Sequence, residues 1–531
     1  MGRPVRTYGT QRRQYTSNSS KVFGVSSVKP KESPAVTSPD LPADPLESWP
    51  EVLETLNEIQ KETSEKGVIR TKSVAESENE EESSGSEDNE ESSESSESED
   101  EDDEDDSEEI ELSSESRGFA GSKHLASLAN AYQTDRGTPL FISTWPEILP
   151  PSAEVEKIAE ASFAEVYRVM TSAGSSIIKV LQLKIPTDPA SSEIETAINA
   201  ADLVSEIRIM NVLTEVPGFV GFKDAHLIKG RFAPSIGEAY YEFIADDGEY
   251  EPRETHFPDP EIFTAESTFL VLELADAGDV LEDCAIESID QVWDIFLGVC
   301  MALSRAEYLC EFEHRDLHEN NVCVRQTIHP VLKTKRRPKP REGSIKFGFS
   351  DYNITIIDYG LSRAKLENGD VVFQDLENDL ALFQSSGSGL AGMQYDNYRR
   401  MRNHLLTGTR TMQPASFHTT SISELPPSEV PIPKPTWKSH TPYSNVLWIR
   451  YILSFLTKQF KKHSRGPKAA KDLATFEAEI KDLKRRLDVR TKIENGAFVS
   501  ACQVLDYVFG RGWVSEEQLG SAGVDSTILS Q

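Results

Sequence analysis

Residues 314–321, HRDLHENN, place an aspartate and an asparagine five positions apart, directly behind a His-Arg pair. Four fixed positions at this spacing recur by chance in well under ~1 % of chains this long, so the pattern is read as chemistry. Downstream, Ile356-Ile357-Asp358-Tyr359-Gly360 reads as a buried strand ending in an acid and a glycine turn. Upstream, Lys179 lies in the apolar strand Ile177-Ile178-Lys179-Val180, and Glu206 lies on the helix that follows. Phosphoryl transfer needs such a set: a carboxylate (Asp316) to orient the attacking hydroxyl, and an Asn with a second carboxylate (Asn321, Asp358) to hold Mg²⁺ on the phosphates. A lysine inside an apolar strand needs an anionic partner, which Glu206 supplies while Lys179 grips phosphate oxygens. Each element alone has an ordinary explanation: a surface turn, a strand-edge lysine, a solvated helix acid. All of them in this order leave little room for it.

The elements that must position these residues follow from periodicity. Segments 166–170 and 176–183 read as two β-branched strands joined by a Thr-Ser-Ala-Gly-Ser turn, and 269–274 as another strand. Over 192–213 the residues Ile194, Ala197, Ile198, Ala201, Val204 and Ile207 keep helical spacing. Segment 289–312 is a mostly apolar helix and 354–357 a buried strand. Strands first and helices afterwards predict an α+β fold of two lobes, a small β-rich one and a larger helical one. The helix expected over 469–487, with Leu473, Phe476, Ile480, Leu483 and Leu487 on one side, is too short for a coiled coil and is expected to pack on the domain.

Charge narrows the class. The chain carries a net −34 over 531 residues, and 76–116 alone holds 23 acidic residues with no Lys or Arg. Removing those 23 negative charges from −34 leaves −11, so the acidity belongs to one tract. Net charge gives no sign of nucleic-acid binding. Five scattered cysteines without a C-x-x-C pair argue against a zinc site and a disulfide framework. No apolar run reaches membrane-spanning length and no secretory signal opens the chain, so a soluble intracellular protein is expected. Residues 1–125 are expected to be disordered, with a transient helix near 49–59; the folded part is placed at about 140–515. Flexible loops are expected near 330–345, whose KTKRRPKPR run could serve nuclear import, and near 407–436.

The four-part set looks like that of a eukaryotic-type protein kinase, and further segments resemble one branch of it, the haspins: EFEHRDLHENNVCV (311–324), IIDYGLSR (356–363), Val371 to Phe373, YDNYRRM (395–401), PYSNVL (442–447) with Trp448, and 219–234. The resemblance covers about 140–515, with an N-lobe of about 140–274 and a C-lobe of about 278–515. It implies an ATP- and Mg²⁺-dependent serine/threonine kinase, monomeric, whose family substrate is the basic tail of histone 3, acting in mitotic chromatin in the nucleus with a cytoplasmic fraction. It implies no nucleic-acid or membrane site; chromatin- or cohesin-associated proteins could dock on the N-terminal region. Carried over by position, Asp316 is the catalytic base, Asn321 and Asp358 are metal ligands, and Lys179–Glu206 is the phosphate-anchoring pair. His318 stands where most such kinases keep a phosphate-binding lysine. Leu274 would be the gatekeeper, Ala275 to Ala277 the adenine-binding hinge, and Ile158, Ala159, Ala161 and Val166 part of the phosphate-covering loop. Glu282, Glu377 and Asp379 would meet the basic peptide.

The chain departs from the family pattern in the phosphate loop. The expected G-x-G-x-x-G reads Ala159-Glu160-Ala161-Ser162-Phe163-Ala164. Alanine rarely adopts positive φ, and its Cβ holds backbone N–H groups off a phosphate, so weaker or differently shaped ATP binding is expected with catalysis retained. Gly360 stands where many haspins have Thr, and the hinge acid expected near Val280 is missing, flanked by Asp279 and Glu282. An Ala-Pro-Glu segment and a long activation loop are also absent, as in haspins. Two other readings stay open: a pseudokinase scaffold, and a histone-binding protein acting through its acidic tract.

Overall fold

The computed structural model describes residues 7–8, 123–245, 255–326 and 345–521, apart from 187, 427–429 and 431–432. Contacts divide the chain into residues 1–16 with 116–531, and 17–115; all described residues belong to the first unit. The acidic tract, the 49–59 segment and the basic run 333–341 lie outside the described residues.

Alternating β-branched and small residues build the first lobe around one seven-stranded sheet. Its strands are β1 (Thr7–Tyr8), β2 (Ile142–Ser143), β3 (Glu154–Ala161), β4 (Glu165–Thr171), β5 (Gly174–Gln182), β6 (Phe222–Lys229) and β7 (Thr268–Ala275), in the order β1-β3-β4-β5-β7-β6-β2. Neighbours run antiparallel except at the two ends, where β1 lies parallel to β3 and β2 parallel to β6. Register sets Lys179 opposite Val166 on one side and Leu272 on the other, which turns the lysine toward the cleft below β3 and β4.

Helix α1 (Lys123–Arg136) falls between β1 and β2 in the chain and packs on α2 (Val204–Leu213). Leu125, Leu128 and Tyr132 recur at helical spacing and are all buried. At its end Asp135 accepts a two-pronged bond from Arg208 (3.1 and 3.2 Å), and Arg208 also lies 3.9 Å from Asp370. The folded part therefore starts before residue 140. Helix α2 is shorter than the periodicity over 192–213 suggests: only a 3₁₀ turn, Ala200–Leu203, precedes it. Ile198 instead bridges to Leu183, and its N–H and C=O bond to Gln182 and Lys184, so tertiary strand pairing overrides the local helical pattern.

The second lobe is helical. Ser288 and Gln291 form a capping box at the start of α4 (Ile289–Cys310), which follows α3 (Pro234–Ala245) in the chain and is buried along nearly its whole circumference. Helix α6 (Tyr443–His463) packs on it and α5 (Gly389–Thr407) packs on α6, Trp448 being wholly buried. A small sheet, β8 (Asp279–Val280), β9 (Val322–Gln326) and β10 (Tyr352–Ile356), and a hairpin, β11 (Arg363–Lys365) with β12 (Val371–Phe373), carry the loops of interest. The 469–487 helix is two, Pro467–Glu479 and Lys481–Leu487, broken at Ile480 and packed on the domain through Phe476, Ile480, Leu483 and Leu487. The described part of 407–436 is anchored rather than loose. Phe417, Leu425 and Val430 are buried, Lys434 bonds the carbonyl of Leu425 (3.0 Å), and Arg402 bonds those of Phe417 and Thr420. No helix among the described residues is long and apolar enough to cross a membrane.

Candidate active site

Under the turn between β3 and β4 opens a cleft. Its walls include Ile158, Val166, Lys179, Glu206, Leu274, Ala275, Ala277 and Asp358, as expected from the sequence. Ile177, Met210, Val220, Gly278, Cys323, Ile357 and Tyr359 complete the lining. The walls are largely apolar, with the charged groups gathered at one end, which suits a planar base with a polyanionic tail. In the 275–277 stretch, Ala275 N–H is spent on Gly221 O (2.8 Å). Asp276 braces this stretch, accepting from Ser175 (2.7 Å) and Gly278 N–H (2.9 Å) and pairing with Arg325 (3.2 Å).

Lys179 Nζ donates to Glu206 Oε1 at 2.7 Å across the gap between β5 and α2. Burial opposes the lysine's charge, but the carboxylates of Glu206 and Asp358 outweigh it and raise its pKa. Burial likewise opposes ionisation of Asp358, yet Lys179 and the Gly360 N–H (3.2 Å) hold its carboxyl below the usual range. Asp358 takes φ +65, a strained conformation for a non-glycine residue that aims its carboxylate back at Lys179. A Cβ on Gly360 would sit 3.4 Å from Asp358 Oδ1, an ordinary contact, so space alone does not call for glycine there.

The 314–321 loop is knitted to the 356–360 segment through His314. Its Nδ1 accepts from Asp316 N–H (3.3 Å) and its Nε2 faces Ile357 O (3.1 Å). Burial pushes its pKa down to about 4, so the neutral ring serves as a fixed spacer. Arg315, fully buried, bonds Glu313 and the Trp437 carbonyl (2.8 Å) and stacks over the Trp437 ring, a structural role. Asp316 is buried and pushed up to about 7 by desolvation, with His318 and Tyr398 opposing. The hydroxyl of Tyr398, on α5, donates to Asp316 Oδ1; His318 Nε2 lies 3.8 Å from Asp316 Oδ2.

Asn321 donates its Nδ2 to Asp316 O at 2.8 Å, which fixes the orientation of its amide. Its Oδ1 is buried and has no hydrogen-bond partner among the described residues. An unclaimed amide oxygen with the ionised Asp358 is a donor set for a hard divalent cation shared with phosphate oxygens.

The 159–164 turn is built with ordinary backbone angles, as alanine favours. None of Ala159, Ala161 and Ala164 has positive φ, so the conformation does not require glycine there. Their methyl groups are buried, at 0, 4 and 0 % exposure, and so contribute to the core. The turn closes through Ala161 N–H to Ala164 O (2.7 Å).

Of the three acids expected to meet substrate, Glu377 is otherwise engaged. It takes a two-pronged bond from Arg402 (2.8 Å twice) and one from Trp437 Nε1 (3.3 Å), so it anchors α5 and faces inward. Asp379 caps the short turn Leu380–Phe383 by accepting from Ala381 N–H (3.1 Å). Glu282 is exposed just past the hinge, on the turn Leu281–Asp283, which packs beside Glu319–Asn321. Sequence reasoning missed Tyr398, although it stands within the quoted YDNYRRM segment, and missed Arg402 one residue beyond it.

This fold and this convergence of Lys179, Glu206, Asp316, Asn321 and Asp358 define a two-lobed protein kinase. The sequence matches the haspin-like kinase domain over residues 136–503, more than half of the chain. The chain belongs to that family. It is 27 % identical over 370 residues to the serine/threonine-protein kinase haspin homolog of Drosophila melanogaster, covering 67 % of this chain and 55 % of that one. It is 26 % identical over 325 residues to serine/threonine-protein kinase haspin of Bos taurus (59 % and 36 %), and 24 % identical over 328 residues to the Schizosaccharomyces pombe haspin homolog (59 % and 57 %). The match thus spans between about a third and somewhat over half of the length of these relatives.

Proposed function

We propose that this chain is an active serine/threonine kinase that transfers the γ-phosphoryl group of ATP to a hydroxyl in a basic protein tail, the tail of histone 3 being the first candidate. The observation that carries this reading is that Lys179, Glu206 and Asp358 line one cleft, the first two paired, while Asp316 and Asn321 sit on the adjoining loop within electrostatic or hydrogen-bond reach of the 357–358 segment. Asn321 and Asp358 would hold Mg²⁺, which when bound neutralises the phosphate charge. Lys179 would orient the phosphates, Asp316 would take up the proton of the attacking hydroxyl, and Tyr398 and His318 would hold Asp316 in place. Exposed Glu282 supports a cationic peptide as substrate. A histone substrate places the working enzyme in the nucleus, on chromosomes. The pseudokinase alternative rests on the missing glycines, against the intact Lys179, Glu206, Asp316, Asn321 and Asp358 set.

The test is radiolabelled ATP with the full chain, core histones and a histone 3 tail peptide, with Asp316→Asn as control. Label on histone 3 that disappears in the variant is the expected result. Nucleotide binding with no transfer to any basic protein would reinstate the scaffold reading.

A further inference from the structure

The underside of the 159–164 turn is held by a buried charge cluster. Lys157 Nζ donates to Glu160 Oε1 (2.8 Å) and to Glu165 Oε2 (2.5 Å), and it lies over the rings of Tyr240 (4.4 Å) and Phe243 (5.1 Å) on α3. From beyond α3, Thr255 donates to Glu160 Oε1 and His256 reaches the turn with both ring nitrogens. Nδ1 lies 3.1 Å from Glu160 Oε2, and Nε2 lies 3.0 Å from the carbonyl oxygen of Ala161.

Both of those oxygens only accept hydrogen bonds once Glu160 is ionised. Glu160 is fully buried, and its Oε2 makes no hydrogen bond among the described residues; the His256 ring faces it at ion-pair distance. A neutral imidazole carries one N–H and can serve one of the two oxygens; only the imidazolium serves both.

We propose that His256, in its doubly protonated form, is a positioning residue for nucleotide binding: it clamps Glu160 and the Ala161 carbonyl, and so sets the backbone of the phosphate loop. This rests on the kinase reading above. A loop without glycine gains nothing from backbone freedom, so its shape is imposed from outside by a segment remote in sequence. The ionisable groups facing the ring are Glu160 and Lys157 on β3, with Glu165 on β4 and Tyr240 on α3 behind them. Burial disfavours the Glu160 anion, but His256 and Lys157 hold its carboxyl at about 2, so it stays charged across the working range. Burial pushes Glu165 up, and Tyr240 is raised to about 12 and remains neutral. The bond to Glu160 raises His256 above its ordinary value, with burial opposing. The clamp is therefore complete below about pH 6.5, the ordinary imidazole value, and is lost as pH rises through the raised one.

The test measures binding of a fluorescent ATP analogue, independent of phosphoryl transfer, from pH 6 to 9 on the full chain, alongside KM for ATP and kcat. Wild type should lose roughly three- to tenfold in nucleotide affinity as pH rises, on the scale of one charge-assisted hydrogen bond partly coupled to the loop, with KM following. His256→Gln should bind at the weak level throughout and show no pH step. His256→Arg, a permanent cation with several donors, should bind tightly at every pH. A pH step that persists in His256→Gln, or a wild-type profile without one, overturns the clamp while leaving the kinase reading intact. Absence of nucleotide binding at all pH values overturns both.

Discussion

In the proposed mechanism Asp316 carries the proton chemistry, and its surroundings separate turnover from binding. Asp316→Asn keeps the shape of the loop and the bond from Asn321 to the 316 carbonyl, so nucleotide affinity should stay unchanged while kcat falls by roughly 10²- to 10⁴-fold. Turnover at the wild-type rate would remove this loop from the mechanism. Glu377 and Glu282 make a second contrast. Glu377→Ala leaves Arg402, whose side chain is 0 % exposed, without its carboxylate, a loss of roughly 3–5 kcal/mol in stability. A drop in melting temperature with peptide KM unchanged is expected. Glu282→Ala should leave the melting temperature alone and raise KM for a basic peptide a few-fold, an effect that fades at high salt. The reverse pattern would return Glu377 to the substrate groove. What was legible here was what a single loop fixes: Asp316 and Asn321 share one short turn, so their spacing survives in the sequence. The partners of Asp316 and Glu377 lie 82 and 25 residues away, and nothing local marks Tyr398 or Arg402 as theirs.

At the scale of elements, the β3–β4 turn shows what its alanines do for the fold. Alanine in place of glycine suggested a poorer phosphate cradle, yet the turn uses ordinary φ and buries the methyl groups. Ala159→Gly with Ala161→Gly should thus cost roughly 1 kcal/mol at each position, from lost burial and added chain entropy. The expected reading is a lower melting temperature without tighter ATP binding. A marked fall in KM for ATP would show that the Cβ atoms do obstruct phosphate. Strands β4, β5 and β7 and helix α4 were legible because periodicity and burial agree along them. The 192–199 stretch was not, because Ile198 answers to a strand partner that local spacing cannot register.

For the whole molecule, α1 sets the boundary. It carries Leu125, Leu128 and Tyr132 into the core and ties Asp135 to Arg208 on α2, the helix that presents Glu206. A fragment starting at 120 should fold and turn over at no less than the full chain's rate; one starting at 138 should melt lower and bind nucleotide more weakly. Equal melting temperatures would make α1 dispensable. The i, i+3, i+7 spacing of those three apolar residues was visible, but polar neighbours in KHLASLANAYQTDR masked it. The same arrangement bears on how the chain is made. Asp135 leaves the ribosome 73 residues ahead of Arg208, a wait of roughly 4–15 s at ordinary rates of synthesis. Throughout that interval three large apolar side chains have nothing to cover them. The 23 acidic residues of 76–116 emerge just before them, and like charge of that density opposes the close approach of a second copy.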